Sequence, residues 1–429
     1  MNYEAAMAYI QNTAKFGSSL GLERTLKILE LMGNPQDKIK CIHVAGTNGK
    51  GSTTAMITGM LAEAGYRTGM YTSPFLEEFE ERIQVDGKNI GKDDLARTVT
   101  EVSEAVEKVV SLGYDHPTEF EIITCAMFKH FCEAGVDYAV VEVGLGGRLD
   151  STNVITPILS VITSISLDHT GVLGDTLKEI AAEKAGIIKK GVPVVSYPQE
   201  EEAGRVIKDT CIRLGCELVS VEPDSGEFFG TTGLAQKIRV KTAKEVYEPE
   251  LSLLGKHQIM NCAVAVTAAE KLQELGLNIS RDNIIGALKK VKWIGRLEVL
   301  KENPLVVIDG AHNIAGITLL SESLDTYFRY EKLILIIGIL RDKQVEEMIK
   351  MIAPKACRVI AVTPNSGRAE SSEELNEVIL KYNSNSEACD DYSDAYEKAL
   401  GYAGGTDLIL VCGSLYMIGD MRKVIRSKK

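Results

Sequence analysis

The stretch Ile42-His43-Val44-Ala45-Gly46-Thr47-Asn48-Gly49-Lys50-Gly51-Ser52-Thr53-Thr54 joins a short apolar strand to a helix through a loop suited to holding phosphates. Gly46, Gly49 and Gly51 let the backbone approach an anion closely, and the amides opening the next helix meet that anion with the positive end of the helix dipole. Lys50 adds a full positive charge there. The spacing departs from the common P-loop pattern, because Gly51 separates Lys50 from Ser52 and no glycine stands five residues before Gly49. The competing reading is a glycine-rich strand-to-helix turn with a solvated lysine.

Other strand ends carry the groups that magnesium and phosphate need. Glu142 follows Ala139-Val140-Val141, and Asp168-His169 follows the run through Ile162-Thr163-Ser164-Ile165. Magnesium prefers oxygen ligands and keeps several waters, so one carboxylate, a hydroxyl and nucleotide phosphates form an ordinary set. From chemistry alone, a histidine beside an aspartate such as His169 also reads as a surface residue. Gly144-Leu145-Gly146-Gly147-Arg148-Leu149-Asp150 brings a cation and a carboxylate to the same strand end, either to line a substrate pocket or to form a structural turn. Lys184 lies in a helical segment, where lysines are usually solvated. Further on, Val306-Val307-Ile308-Asp309-Gly310-Ala311-His312-Asn313 again ends a strand in polar groups, which makes Asp309 and His312 candidates for ribose, phosphate or substrate contacts. Arg296 is a cation suited to charge that develops in phosphoryl transfer.

The whole chain narrows the classes of partner. Its 429 residues suggest two or three domains, and 45% hydrophobic with 25% charged residues is an ordinary soluble composition. A net charge of -12 argues against nucleic acid and against anionic lipid, so the expected ligands are small. Where they carry phosphate, local lysines and metal ions must overcome that field. Nine cysteines without a Cys-x-x-Cys pair suggest neither a disulfide framework nor a zinc site, and fit a reducing cytoplasm. The N-terminus lacks a basic stretch with an apolar core, and the longest apolar run, residues 333–340, is too short to span a bilayer.

The elements that position these groups alternate in type. Residues 41–45, 138–143, 158–165 and 192–195 read as strands, with helices at 52–64, 93–111, 120–134 and 177–189. Such alternation predicts an α/β fold, a P-loop-containing doubly wound parallel sheet with helices on both faces. Residues 217–254 read as a small antiparallel addition, and helical pattern resumes at 258–275 and 280–291. A second unit with strands at 305–309, 332–340, 358–362 and 408–412 predicts a smaller Rossmann-like α/β domain. The expected domains are 1–294 and 295–429, with ligands at the carboxyl ends of the strands and in the cleft between domains.

Together these segments resemble the folylpolyglutamate synthase and dihydrofolate synthase family, a branch of the Mur ligase superfamily of ATP-dependent amide-forming enzymes. The resemblance covers nearly the whole chain. It rests on residues 46–52, Tyr71-Thr72-Ser73-Pro74, Leu145-Gly146-Gly147-Arg148-Leu149-Asp150-Ser151-Thr152-Asn153, Leu167-Asp168-His169-Thr170, Glu183-Lys184-Ala185-Gly186-Ile187-Ile188-Lys189, His257-Gln258 with Asn261, Gly295-Arg296-Leu297-Glu298, Asp309-Gly310-Ala311-His312-Asn313 and Gly413-Ser414-Leu415-Tyr416.

The resemblance implies that Gly46, Thr47, Asn48, Gly49, Lys50, Gly51 and Ser52 hold the phosphates of ATP. It implies that Ser73, Glu142 and His169 hold magnesium, with two ions expected, and that Lys184 is carbamylated, turning a cation into a metal-directed anion. Asn261, Arg296 and Asp309 would contact ATP from the interdomain side, and His312 with Ser414 would position L-glutamate. Lys50, Lys184 and His312 form the implied catalytic set. Phe75, Arg82, Phe120 and Asp150 are the folate candidates by similarity to the family's pterin-pocket segments, although many relatives have His where this chain has Phe75.

The implied reaction phosphorylates the carboxylate of a reduced folate or dihydropteroate with ATP. The glutamate amine then attacks the acyl phosphate to give an amide, ADP and phosphate. A cytoplasmic monomer acting on both acceptors is expected, a monofunctional folylpolyglutamate synthase being the alternative. A Mur ligase for peptidoglycan precursors is the nearer rival, but it needs an N-terminal domain for the UDP-sugar, and only 45 residues precede Gly46. A non-catalytic nucleotide-binding protein would be expected to lose some of Lys50, Glu142, His169 or Lys184, and all four are present.

Overall fold

Neighbouring residues of the central strands serve different cores. Ile42 and Val44 pack with Tyr138, Val140 and the helices on one face of a sheet, whereas Cys41, Ala139 and Val141 pack on the other. A sheet buried on both faces needs apolar residues at nearly every strand position, which is why these strands read as continuous apolar runs. The computed structural model describes residues 1–13 and 21–428.

The first sheet contains β1 (Lys40–Ala45), β2 (Thr68–Tyr71), β3 (Ile83–Val85), β4 (Lys88–Asn89), β5 (Tyr138–Glu142), β6 (Leu159–Ile162), β7 (Val194–Ser196) and β8 (Leu218–Ser220) in the order β4-β3-β2-β5-β1-β6-β7-β8. Its centre is parallel, with Ile42 beside both Val140 and Leu159. At one edge β3 pairs antiparallel with β2 and β4, so the sheet is mixed rather than wholly parallel as the alternation predicts. Helices Lys50–Glu63, Lys256–Glu274 and Arg281–Lys290 carry residues of one face's core, and Lys92–Ser111 and Glu119–Ala134 carry residues of the other's. The last of these begins with Thr118, whose hydroxyl caps Glu121 N while the Glu121 side chain caps Thr118 N.

The region predicted as an antiparallel addition divides. β8 joins the first sheet beside β7, whereas β9 (Gly226–Thr232), β10 (Ala235–Lys241), β11 (Val246–Tyr247) and β12 (Glu250–Leu251) form a small antiparallel sheet. The helix predicted over 177–189 ends at Lys184 and continues as a single tight turn, Ala185–Ile187. Crowding accompanies the change, since a Cβ on Gly186 would stand 2.4 Å from the Arg148 Cα.

The second large sheet comprises β13 (Glu298–Glu302), β14 (Leu305–Asp309), β15 (Leu333–Ile337), β16 (Arg358–Ala361), β17 (Ser386–Ala388) and β18 (Leu408–Cys412) in the order β13-β14-β18-β15-β16-β17. All its pairs are parallel except the β13–β14 hairpin. Alternation again feeds two cores, with Val307, Leu335 and Leu410 on one side and Val306, Ile336 and Val411 on the other. The carboxyl ends of β1, β5 and β14 supply residues to one cleft between the two sheets.

Candidate active site

The cleft is lined by the 46–52 loop, Ser73, Glu142, Asp168, His169 and Lys184 from the first part of the chain, and by Arg296, Asp309 and His312 from the second. Residues widely separated in sequence are therefore gathered at one place, where strand ends deliver them.

Steric demands shape the loop. Gly46 has φ 153°, and a Cβ there would lie 1.8 Å from Thr163 Oγ1; Gly49 has φ 84°, and its Cβ would lie 2.4 Å from Asn261 Oδ1. Gly51, the irregular residue of the motif, faces the only tryptophan, with Trp293 Cζ2 2.5 Å from a Cβ built on it. Thr47 N and Asn48 N donate to Ser164 O at 2.7 and 3.3 Å, so those amides tie the loop to the chain after β6. The amides opening the helix at Lys50 have no carbonyl partner within the helix, which makes them the donors of this loop suited to an anion. The side chains of Thr47 and Asn48 are likewise engaged, donating to Ser166 O and Ser166 Oγ at 3.1 and 3.2 Å. Ser52 Oγ accepts from Gln258 Nε2 at 3.1 Å, and Gln258 Oε1 accepts from Asn261 Nδ2 at 3.0 Å.

Two lysines share one carbonyl. Lys50 Nζ donates to Gly46 O at 3.1 Å and Thr47 O at 3.2 Å, and Lys184 Nζ donates to Gly46 O at 2.8 Å. Burial, reinforced by the nearby Lys50 charge, lowers Lys184 to about 7. Lys184 is therefore a buried amine with a substantial neutral fraction at neutral pH, not the solvated lysine its helical setting suggested.

Glu142 is 4% exposed and accepts Ser73 N at 3.2 Å; burial, opposed by Lys50, pushes it up to about 7. A carboxylate so placed favours a cation. Among the described residues, no group of three or more His, Cys, Asp or Glu side chains gathers to hold a metal by itself. Ser73, Glu142 and His169 thus fit magnesium only as a partial set completed by water and phosphate oxygens. His169 sits at a left-handed φ of 50°, unusual for a residue with a Cβ, and burial lowers its pKa.

From the second sheet, Asp309 accepts Leu297 N through Oδ2 and Ala311 N through Oδ1, each at 2.8 Å. Its two oxygens brace the turn that carries Arg296. His312 Nδ1 donates to Gly310 O at 2.8 Å, which leaves Nε2 as an acceptor, and burial lowers the ring to about 4. Asp168 ties the first part of the chain to the second: it accepts Lys343 Nζ at 2.6 Å and Asn313 Nδ2 at 3.0 Å. Burial would raise Asp168, but the Lys343 ammonium overrides it and holds the carboxyl well below the usual range.

The folate candidates separate. Arg82 stacks its guanidinium 5.3 Å from the Phe75 ring and 5.2 Å from Phe79, and its buried Nε has no hydrogen-bond partner among the described residues. Phe120 packs against Gly144, where a Cβ would lie 2.5 Å from the ring. Asp150 is buried, accepting Leu145 N at 2.8 Å and Thr152 N at 3.0 Å, so it organises the 144–152 loop. Ser414 is also buried, its Oγ without a hydrogen-bond partner among the described residues. His257 and Tyr197 also line the cleft and Lys343 holds Asp168, three side chains that the sequence does not single out individually. Lys343 was signalled only by the charged run Arg341-Asp342-Lys343 directly after the apolar run at 333–340.

Comparison with known proteins accords with this geometry. The Mur ligase middle domain family matches residues 44–269, and the family described as Mur ligase, glutamate ligase domain matches residues 295–415. The chain is 38% identical over 429 residues to the dihydrofolate synthase/folylpolyglutamate synthase of Bacillus subtilis (strain 168), covering 99% of each sequence. It is 35% identical over 441 residues to the folylpolyglutamate synthase of Lacticaseibacillus casei, covering 100% of each. Its fold superposes on Mycobacterium tuberculosis folylpolyglutamate synthase complexed with ADP and AMPPCP with a TM-score of 0.91, at 29% identity and 99% coverage of both chains. It superposes on an Escherichia coli protein in complex with DHPP and ADP with a TM-score of 0.89, at 28% identity, covering 100% of this chain and 98% of that one.

Proposed function

Because the chain belongs to the folylpolyglutamate synthase and dihydrofolate synthase family of the Mur ligase superfamily, we infer its reaction from this cleft. The protein is an ATP-dependent ligase that adds glutamate to folates. One observation carries the assignment of roles: the phosphate loop, Glu142, Lys184 and the second domain's Arg296 and His312 all face the same cleft.

ATP phosphorylates the acceptor carboxylate, and the glutamate α-amine displaces phosphate from the acyl phosphate. Lys50 and Arg296 stabilise the negative charge of phosphoryl transfer, while the helix opening at Lys50 receives the phosphates. Ser73, Glu142 and His169 would hold magnesium, which when bound neutralises and orients the phosphates. His312, fixed by Gly310 O, presents Nε2 as an acceptor to the incoming amine. Asp309 acts through Arg296, whose turn it braces, and Asn261 completes the ATP contacts. We take Phe75, Arg82 and Phe120 as the acceptor side of the site, with Asp150 organising the 144–152 loop, and Ser414 as a glutamate contact by family resemblance.

The neutral amine favoured at Lys184 supports carbamylation, in which nitrogen attacks carbon dioxide and loses a proton. Intact-mass measurement in bicarbonate should show the added carboxylate, and Lys184→Met should abolish both the adduct and most turnover. An unmodified Lys184 in fully active enzyme would refute this reading.

We take residues 1–294 as the ATP- and folate-binding body and 295–429 as the glutamate-ligase domain, supported by their separate sheets and family matches. A cytoplasmic location is supported by nine free thiols, and we take the protein to act as a monomer. No helix among the described residues is long and apolar enough to cross a membrane. We favour activity on both dihydropteroate and reduced folate, since relatives are named for both activities and one similar structure holds DHPP. Glutamate-dependent ADP release with each acceptor, in ATP and magnesium, tests this reading: dihydropteroate inactivity leaves a monofunctional enzyme, and inactivity with both removes the role assignment. Lys50→Ala should reduce release by about a thousandfold with the fold intact.

A further inference from the structure

Between Ser73 and Arg82 the chain leaves the first sheet, reaches the second domain and returns. Glu81 collects the amides of Leu76, Glu77 and Glu78 at 2.7, 3.2 and 3.0 Å, which fixes the segment as a turn. The turn presents Leu76 to the second domain's core, built there on Ile308, Ile418 and Met421. Space for it is made by absent side chains. A Cβ on Gly419 would stand 1.8 Å from Leu76 O, and one on Gly295 would stand 3.1 Å from Leu76 Cδ2.

A charged contact lies beside this plug. Arg422 Nη1 donates to Glu77 Oε1 at 2.8 Å, while its Nε and Nη2 hold Glu298 Oε1 at 2.9 and 2.7 Å. Lys423 Nζ adds a bond to Glu77 O at 2.8 Å. Glu298 in turn accepts the amide of Gly295, next to Arg296, at 2.8 Å. One guanidinium therefore links the helix Leu415–Ser427, the boundary at Gly295 and the loop that carries Ser73 and Phe75. The groups are mostly buried, with Arg422 11% and Glu77 16% exposed, so the contact is not an ordinary solvated surface pair.

We propose that Leu76, Glu77 and Arg422 are positioning residues that seat the second domain over the acceptor carboxylate, so that the acyl phosphate meets amine rather than water. This rests on the ligase reading above. In either outcome the bond between acyl carbon and phosphate oxygen breaks and phosphate leaves. Amine nitrogen forms the new bond and gives up a proton in one case; water oxygen does so in the other and regenerates the carboxylate. A loosened seat lets ATP phosphorylate the acceptor but admits water, so ADP is released in excess of glutamate incorporated.

ADP release and incorporation of labelled glutamate, measured in the same reaction, test the seat. The wild-type protein should yield equal amounts. Arg422→Gln and Leu76→Ala should raise the ratio several-fold with little change in the KM for ATP, and Arg422→Lys should fall between. Gly419→Val should act like Leu76→Ala by expelling the plug. Arg422→Gln carries the test if the apolar variants do not fold. A ratio that stays at unity in folded Arg422→Gln, or ADP and amide that decline in parallel, overturns the proposal. A wild-type protein without glutamate-dependent ADP release instead strikes the ligase reading.

Discussion

Glu142 and Asp309 end central strands of two different sheets and are almost equally hidden, at 4% and 5% exposure. Burial raises the pKa of both. Their partners differ. Asp309 gives one oxygen to Leu297 N and the other to Ala311 N, with Arg296 adding a favourable charge. Glu142 accepts a longer bond from Ser73 N, opposite Lys50. The same residue chemistry at equivalent strand ends thus serves two ends: a carboxylate completed by protein braces the backbone, and one with fewer protein donors is, in the proposed reading, completed by ligand.

The largest test of this contrast is catalytic. Glu142→Gln should lower kcat by about 10²- to 10³-fold while the protein stays folded. Asp309→Asn keeps one acceptor oxygen and should cost about tenfold, mainly in the KM for ATP, because it acts through the Arg296 turn. The reverse ranking in steady-state kinetics would break the comparison.

The next effect appears without ligand. Glu142 is raised from 4.5 to about 7, so between those pH values the folded state retains a proton that the unfolded state has released. Wild-type stability should therefore fall as pH rises through that window, with a total cost on the order of 3 kcal/mol. Denaturant unfolding of Glu142→Gln should lack this decline and should match wild type near pH 4.5. An identical pH profile for the two proteins would mean that Glu142 finds donors elsewhere.

Ligand stabilisation gives the smallest difference. At about a hundred times the Kd, magnesium and ATP should stabilise wild type and Asp309→Asn by about 2.7 kcal/mol. In Glu142→Gln most of the magnesium-dependent part should be absent from the thermal shift. An equal shift in all three proteins would place the metal away from Glu142.

Local order did make much of the molecule legible. Apolar runs at residues 41–45, 305–309 and 408–412 coincide with β1, β14 and β18 to within a residue, because strands buried on both faces leave an unbroken apolar signature. The short β3 and β4 and the edge strand β13 carry polar or charged residues near a sheet edge, where one strand face need not be apolar, so the apolar pattern does not mark them. Lys50, Glu142, His169, Lys184 and Arg296 were named from strand ends and family motifs, and they line one cleft.

What the residues alone determine, then, is local: which segments form strands and helices, and which strand ends carry cations, carboxylates and glycines. Only the tertiary structure decides what each group faces. Gly51 is small because Trp293, distant in sequence, packs against it; Thr47 and Asn48 spend their amides on Ser164; Lys184 loses its charge preference to burial; Asp168 is claimed by Lys343. Packing, hydrogen-bond saturation and desolvation arise between segments far apart in the chain, so the sequence names the groups but their chemistry depends on the fold that surrounds them.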